Sequence, residues 1–377
     1  MNELRLSIHA ISDPRKISEI EEELDAFIIK NSRNPFMFSV FIKKTMKSTL
    51  QKDSIPIVLV LMADGKIIGV VPLSLRKKFG IRFASFLFGY DYSPDFIFDR
   101  EYSGVCMQNS LNFIFENLGC RFTTLNLPAE SLNLQILERM RETNRIFIRK
   151  ENDAYLNHNI IPVNRTWNDF QKWQGKNFRH RFKQIERRLS SAGQWQILLF
   201  ENKDHEQEVI QKIMDIEKTS WKQNWRLQHH ALVDESLMKF WWEGSSLAIR
   251  TYPNLKRSTW FLELNGYAIA YSLVFQYKGT AYVGKTSYNN QYRKIYPGIY
   301  INNAAIQNIF NCGRIKTIDF MTNLPFQEIW KSKNLLRSRL LLCKGSLPNL
   351  ELTIQLPQIR RVMRRLIPEL VKQLVLE

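Results

Sequence analysis

The chain has 377 residues, 44% of them apolar, which suits two domains with real cores and excludes global disorder. Its formal charge is +18. Residues 1–150 hold 21 Lys+Arg and 17 Asp+Glu, so a net +14 falls on residues 151–377. Such a field draws an anionic partner: a nucleotide cofactor, nucleic acid, an acidic carrier protein or a membrane surface.

No apolar run reaches the roughly 18 residues that span a bilayer. The N-terminus "MNELRLSIHAISDPRK" has no apolar stretch of signal-peptide type. Cys106, Cys120, Cys312 and Cys343 are scattered, with no C-x-x-C pair. The expectation is a cytoplasmic protein without disulfides.

In chain order, helices are expected over 16–30, after Pro14, and over 36–49. "VLVLMADGKIIGVVPLSL" (58–75) reads as strand, Asp-Gly turn, strand. A strand at 82–88, a helix at 107–117, a strand at 122–127, a helix at 133–143 and a strand at 145–149 follow. The polar stretch "RKENDAYLNHN" (149–159) marks a boundary, giving domains 1–152 and 153–377.

The second half opens with Thr166 placed to cap a short helix, Asp169 three residues on. A basic helix over 176–192 then ends at Gly193. A strand at 195–200 precedes helices at 204–220 and 234–249. "TWFLELNGYAIAYSLVF" (259–275) repeats the hairpin pattern with Asn265-Gly266. A strand at 280–289, a helix at 299–310, and strands at 316–321 and 335–344 complete the half. Gly65 and Gly266 lie 201 residues apart, and Pro128 of "FTTLNLP" and Pro325 of "IDFMTNLP" 197 apart. Two matches in one order at nearly one spacing imply tandem α/β domains.

"YRKIYPGIYINNAAI" (292–306) is the junction that carries chemistry. A helix N-terminus leaves N–H groups unpaired and carries a partial positive charge. It seats a pyrophosphate. Gly298 lets an anion approach, Pro297 fixes the first turn, and Arg293 adds a bidentate phosphate contact. Alone, a Pro-Gly pair is equally an ordinary turn.

The order strand, hairpin, strand, junction, helix, strand resembles the GNAT acyltransferase fold. With "NPFMFSVFI" (34–42), "GYDYSPDFIF" (89–98), "NFRHRFKQIERRLSSAG" (177–193) and "IDFMTNLPFQEIWKSK" (318–333), the chain resembles the CelD/BcsL-type proteins of polysaccharide loci, relatives of the FemABX peptidyltransferases. The fold class so implied is α/β, a mixed sheet in tandem GNAT-like domains.

The resemblance implies acyl transfer to an amine or hydroxyl. Acetyl-CoA or another acyl-CoA is the donor, with an acidic acyl carrier protein as the alternative source. The thioester then lies near Val283 to Thr286, with Lys285 alongside, and the pyrophosphate on Pro297, Gly298, Ile299, Tyr300 and Ile301. The sequence departs from the family's [QR]-x-x-G-x-[GA] signature, and Tyr300 stands where a small residue is common. The tyrosine general acid of many GNATs is not identifiable.

Asp319, Tyr288 and Glu328 are the catalytic candidates. Asp91, Tyr92, Asp95 and Trp330 are candidates for binding the acceptor, a small molecule or glycan precursor. Each has a plainer reading as a cap, loop or packing residue. His229-His230 lacks further ligands, so no metal is expected. Ile359, Val362, Met363, Leu366 and Leu370 in "LPQIRRVMRRLIPELVKQLVL" fall at helical spacing with arginines between them. That suits a closing helix or a peripheral contact with the inner membrane face through 357–377. Two alternatives stay open: an aminoacyl-tRNA-dependent transferase, and a degenerate domain that binds an acidic protein or membrane.

Overall fold

Two hairpins organise the chain, and their turns are alike. Asp64-Gly65 and Asn265-Gly266 all have positive φ, between 48° and 82°, as the tight turn favoured by right-twisted strands requires. The computed structural model describes residues 6–50, 54–78, 80–89, 92–143, 146–152, 156–202, 205–223 and 239–344. Asp91, His229-His230 and the basic segment 357–377 lie outside the described residues.

The first half runs β1 (Leu6–Ile11), α1 (Pro14–Glu19), α2 (Glu21–Asn31), α3 (Ser39–Leu50), β2 (Ile55–Ala63), β3 (Lys66–Lys78), β4 (Ile81–Phe86), β5 (Ile97–Phe98), α4 (Ser103–Asn112), β6 (Phe122–Pro128), α5 (Leu132–Glu142) and β7 (Phe147–Asn152). The helix expected over 16–30 is two. Asp13 caps α1 by accepting from the Arg15 N–H, and Ile20 (φ −118°) leaves helical geometry before α2.

The second half runs β8 (His158–Pro162), α6 (Trp167–Gln174), α7 (Lys176–Ala192), β9 (Trp195–Glu201), α8 (Glu206–Lys218), α9 (Ser245–Thr251), β10 (Lys256–Leu264), β11 (Tyr267–Tyr277), β12 (Thr280–Tyr288), α10 (Pro297–Cys312), β13 (Thr317–Asp319), β14 (Lys333–Leu335) and β15 (Arg337–Cys343). Thr166 caps α6 as expected, its Oγ1 accepting from Asp169 N–H at 3.2 Å.

Each half builds a mixed sheet of the same plan. In the first the order is β1-β2-β3-β4-β6-β15-β7, with β5 beside β3; in the second it is β9-β10-β11-β12-β13-β8-β14. Each has one parallel step, β4 to β6 and β12 to β13. The bulges match too: Ile68 is the extra residue in the first hairpin and Ile269 in the second, again 201 apart. The fold is α/β, with tandem GNAT-like domains.

One strand crosses between the sheets. β15, of the second half, inserts between β6 and β7 of the first sheet, while β8 pairs with β13 inside the second. Sheet membership therefore does not follow a division at 152/153. The polar stretch at 149–159 holds the end of β7 and the start of β8, which belong to different sheets.

β4 and β5 together occupy the place that β12 fills alone, since both pair with β3. Residues 87–89 and 92–96, between them, lie outside the strands. From there Tyr92 enters an aromatic cluster shared by both halves. Phe36 lies 5.5–5.7 Å, ring to ring, from Tyr92, Trp241, Phe275 and Tyr282. Asp25 ties the halves further, accepting from Ser39 N–H at 2.8 Å and from the Tyr252 hydroxyl.

Among the described residues no helix is long and apolar enough to cross a membrane. None of the four cysteines, all among the described residues, is in a disulfide, and Cys312 is the exposed one. Burial pushes the Cys106 thiol up to about 12 and Cys120 to about 11. Thiolate and access are both needed for alkylation. One equivalent of maleimide is expected to react with the native protein at pH 8, at Cys312; mass-mapped label on Cys106 would contradict this packing.

Candidate active site

The site begins where β12 and β13 part. They pair only from Thr280↔Thr317 to Tyr282↔Asp319. β13 then stops because Met321 turns back with φ 58°, while β12 continues to Tyr288. A wedge opens with β12 backbone along one wall, free of a strand partner on that side. On its other side β12 bulges at Gly284, which the pairing with β11 skips. A Cβ there would sit 2.5 Å from Trp241 Cζ3, so the missing side chain lets Trp241 lie on the strand.

α10 starts beside this wedge. Its N-cap, Tyr296, is left-handed (φ 60°) and supplies no side-chain cap. The first-turn N–H groups remain open to a ligand. Gly298 has a reason the sequence did not show: a Cβ there would be 2.9 Å from Tyr288 Cδ1, so the Tyr288 ring roofs the helix start.

Arg293 and Lys294 are exposed on the turn before α10. Arg188 of α7 donates to the Lys294 carbonyl at 3.1 Å and lies over the Tyr296 ring. An open groove of 610 Å³ runs past Thr219, Asn290, Gln291, Arg293 and Lys294. Cations, open N–H groups and a groove together suit an extended anion.

The remaining junction residues face inward. Pro297 is buried, and Ile299 packs on the core beneath α10. The Tyr300 hydroxyl donates to Glu186 Oε1 at 3.2 Å; burial, with Glu186 added, pushes its pKa up. Val283 joins the same core. Lys285 lies on the other face, its Nζ 5.3 Å above the Trp241 ring. Asn302, one turn into α10, binds the wedge wall: its Oδ1 accepts from Ser272 Oγ (2.8 Å) and Thr286 Oγ1 (3.0 Å).

Asp319 closes the inner end of the wedge. It is buried, and its Oδ1 accepts from Met321 N–H (2.6 Å) and from His158 Nδ1 (3.1 Å). Its charge adds to burial in raising the Tyr282 phenol. His158 escaped the sequence reading because it lies in the stretch taken as a boundary. The antiparallel pairing of β8 with β13 brings it to Asp319. Beside it, Asn159 Nδ2 donates to Asn323 Oδ1 and Gln327 Oε1, both at 2.9 Å.

The other candidates are spread out. Glu328 is exposed on the turn Pro325–Trp330. Trp330 is fully buried, its Nε1 donating to Asn303 Oδ1 at 3.1 Å. Asp95 is held inside the first unit by Ser131 Oγ (2.6 Å) and Asn133 Nδ2 (2.9 Å), and burial raises its pKa. Among the described residues no group of three or more His, Cys, Asp or Glu is placed to hold a metal ion.

Residues 176–332, which hold β12, α10 and β13, match the family model of the acetyltransferase (GNAT) domain. The chain carries a GNAT acetyltransferase domain. It is an acyltransferase, and the wedge and α10 lie inside the matched segment.

Among solved structures the chain is similar to the C-terminal domain of an Agrobacterium fabrum protein whose name assigns it to lysylphosphatidylglycerol synthesis. Identity is 10% and the TM-score 0.53, over 87% of this chain and 92% of that one. It is similar also to a conserved protein from Bacteroides thetaiotaomicron, at 13% identity and TM-score 0.52, over 86% and 97%. At such identity these show a shared fold. No curated protein sequence matches the chain.

One signal in the sequence would have doubled the evidence for the junction. "YSGVCMQNSLNFIFENLG" (102–119) and "YPGIYINNAAIQNIFNCG" (296–313) align at a constant spacing of 194. Both run through a helix start, and both end on a glycine at positive φ, 63° and 67°. The GNAT domain's junction is thus duplicated in the first unit.

Proposed function

We propose that this acyltransferase moves an acyl group from acyl-CoA to an amine or hydroxyl of a glycan precursor or another cell-envelope metabolite, in the manner of CelD/BcsL-type proteins. The setting proposed is the cytoplasm, at or near the inner membrane face. The observation that carries the reading is the wedge between β12 and β13 with the uncapped start of α10 beside it.

Acyl-CoA supplies an activated thioester carbonyl. The α10 N–H groups, Arg293, Lys294 and Arg188 hold its phosphates. The unpaired β12 backbone past Tyr282 donates to the carbonyl oxygen as charge develops there. Asp319, oriented by His158 and the Met321 N–H, anchors the acceptor at the inner end, so that its nucleophile is positioned without a covalent enzyme intermediate.

The test is calorimetric titration with CoA and acetyl-CoA at moderate salt. Saturable binding of both, weakening with added salt, is the expected result. No binding of either, with charged tRNA binding instead, would move the donor to aminoacyl-tRNA and overturn the acyl-CoA assignment.

A further inference from the structure

The first sheet has its own parting of parallel strands. β4 and β6 pair from Phe83↔Phe122 to Ser85↔Thr124, and no pairing continues beyond. There a cavity of 220 Å³ is lined by Arg76, Ser85, Phe86–Gly89, Pro94, Thr124 and Asn126. Apolar residues alternate onto the opposite face (Leu73, Leu75, Ala84, Leu125, Leu127). Ser74, Arg76, Ser85, Thr124 and Asn126 therefore share one sheet face, and all of them but Ser74 line the cavity.

Two buried polar atoms on this face have no hydrogen-bond partner. One is the Ser74 hydroxyl, on a residue 2% exposed and paired across the strands with Ser85. The other is Asn126 Nδ2. The Asn126 amide is fixed in orientation because its Oδ1 accepts from Arg337 Nε at 3.1 Å, and Nδ2 is left as a donor. Buried donors without partners are costly and rare. The described lining residues include no acid, and Arg76 adds a cation at the exposed rim.

We propose that this cavity is a second ligand site, in the first unit, for a small molecule bearing a carboxylate or phosphate. Asn126 Nδ2 and the Thr124 hydroxyl donate to its oxygens, the Ser85 hydroxyl joins them by leaving its 3.4 Å bond to the Phe86 carbonyl, and Arg76 pairs with its charge. The volume takes roughly seven water-sized groups, so the ligand is small. The site is independent of the acyl-CoA reading, since none of these residues lies in β12, β13 or α10.

The experiment is calorimetric titration of the full chain with malonate and with inorganic phosphate, using neutral malonamide as control. Malonate or phosphate is expected to saturate one site, and malonamide to bind at least about tenfold more weakly. Asn126→Asp keeps the acceptor for Arg337 but puts negative charge where Nδ2 was; it should abolish anion binding. Arg76→Gln, on the exposed rim, should weaken it by about tenfold. Gly298→Asp should leave it unchanged. Absence of saturable binding, equal binding of malonamide, or binding retained in both Asn126→Asp and Arg76→Gln would overturn the assignment. Retention in both would locate the anion elsewhere on this basic chain.

Discussion

Gly298→Asp is expected to lower affinity for CoA by at least about 100-fold, roughly 2.7 kcal/mol, while the protein still folds. Two effects combine. A carboxylate at the second position of α10 takes the N–H groups and the partial positive charge for itself, and it repels a phosphate directly. Its Cβ also meets the Tyr288 ring, which a side chain at 298 would approach to 2.9 Å. The helix itself gains, because an acid in the first turn is favourable and Gly is the poorer helix former, by a few tenths of a kcal/mol against Asp and about 1 kcal/mol against Ala.

Gly298→Ala separates the two effects. It adds only the steric contact, with an overpacking cost of about 1–3 kcal/mol against that helical gain. In a Tyr288→Ala background the cost should vanish, a coupling that a double-mutant cycle reads. If CoA affinity is unchanged in Gly298→Asp, the α10 start holds no phosphate, and the groove beside Arg293 serves some other ligand.

How much of this was legible in the sequence depends on what kind of information each part needs. The hairpins, the capped α6 and the α10 junction are local. Asp-Gly, Asn-Gly, Thr166 and Pro297 act within a few residues, so their chemistry is written where it is used. The placing of β8 and β15 is not local. β8 and β15 are short and look like ordinary strands, and nothing in their composition says which sheet they join. That choice decides the neighbours of His158 and Arg337. His158 reaches Asp319 across 161 residues, and Arg337 reaches Asn126 across 211. Gly298 reads in the sequence as a place where an anion approaches the backbone. The group that does so in the structure is a tyrosine ring of the same chain, which the spacing of residues cannot identify. Asp91, Tyr92 and Asp95 were visible as polar residues after a strand, but that β4 and β5 share the place of the β12 equivalent required the register of β3.

Lys222→Met is expected to destabilise the fold by about 3–5 kcal/mol, the usual cost of leaving a buried charge without its partner. Glu217 is fully buried at the end of α8. Its Oε1 accepts from Lys222 Nζ at 2.8 Å and from the Tyr271 hydroxyl at 2.5 Å, and its Oε2 from Ser220 Oγ at 3.2 Å. The cluster pins the end of α8 to the sheet, where Ser220 bridges Asn289 and the Asn290 N–H donates to the Thr219 carbonyl. Thr219 and Asn290 are also walls of the groove beside α10, so the loss should reach the site through its shape. Glu217→Gln combined with Lys222→Met removes both charges and should recover much of the stability, since a neutral amide can still bond to Tyr271 and Ser220. Burial outweighs Glu217 and holds the Lys222 pKa below its ordinary value. The folded state therefore binds fewer protons than the unfolded one in the alkaline range just below that value, and this group's contribution makes stability rise with pH there. Urea titrations of wild type, single and double variants at neutral and alkaline pH measure both effects. A single variant as stable as wild type would mean that Glu217 takes up a proton or reaches water, and that the cluster does not pin α8 through its charges.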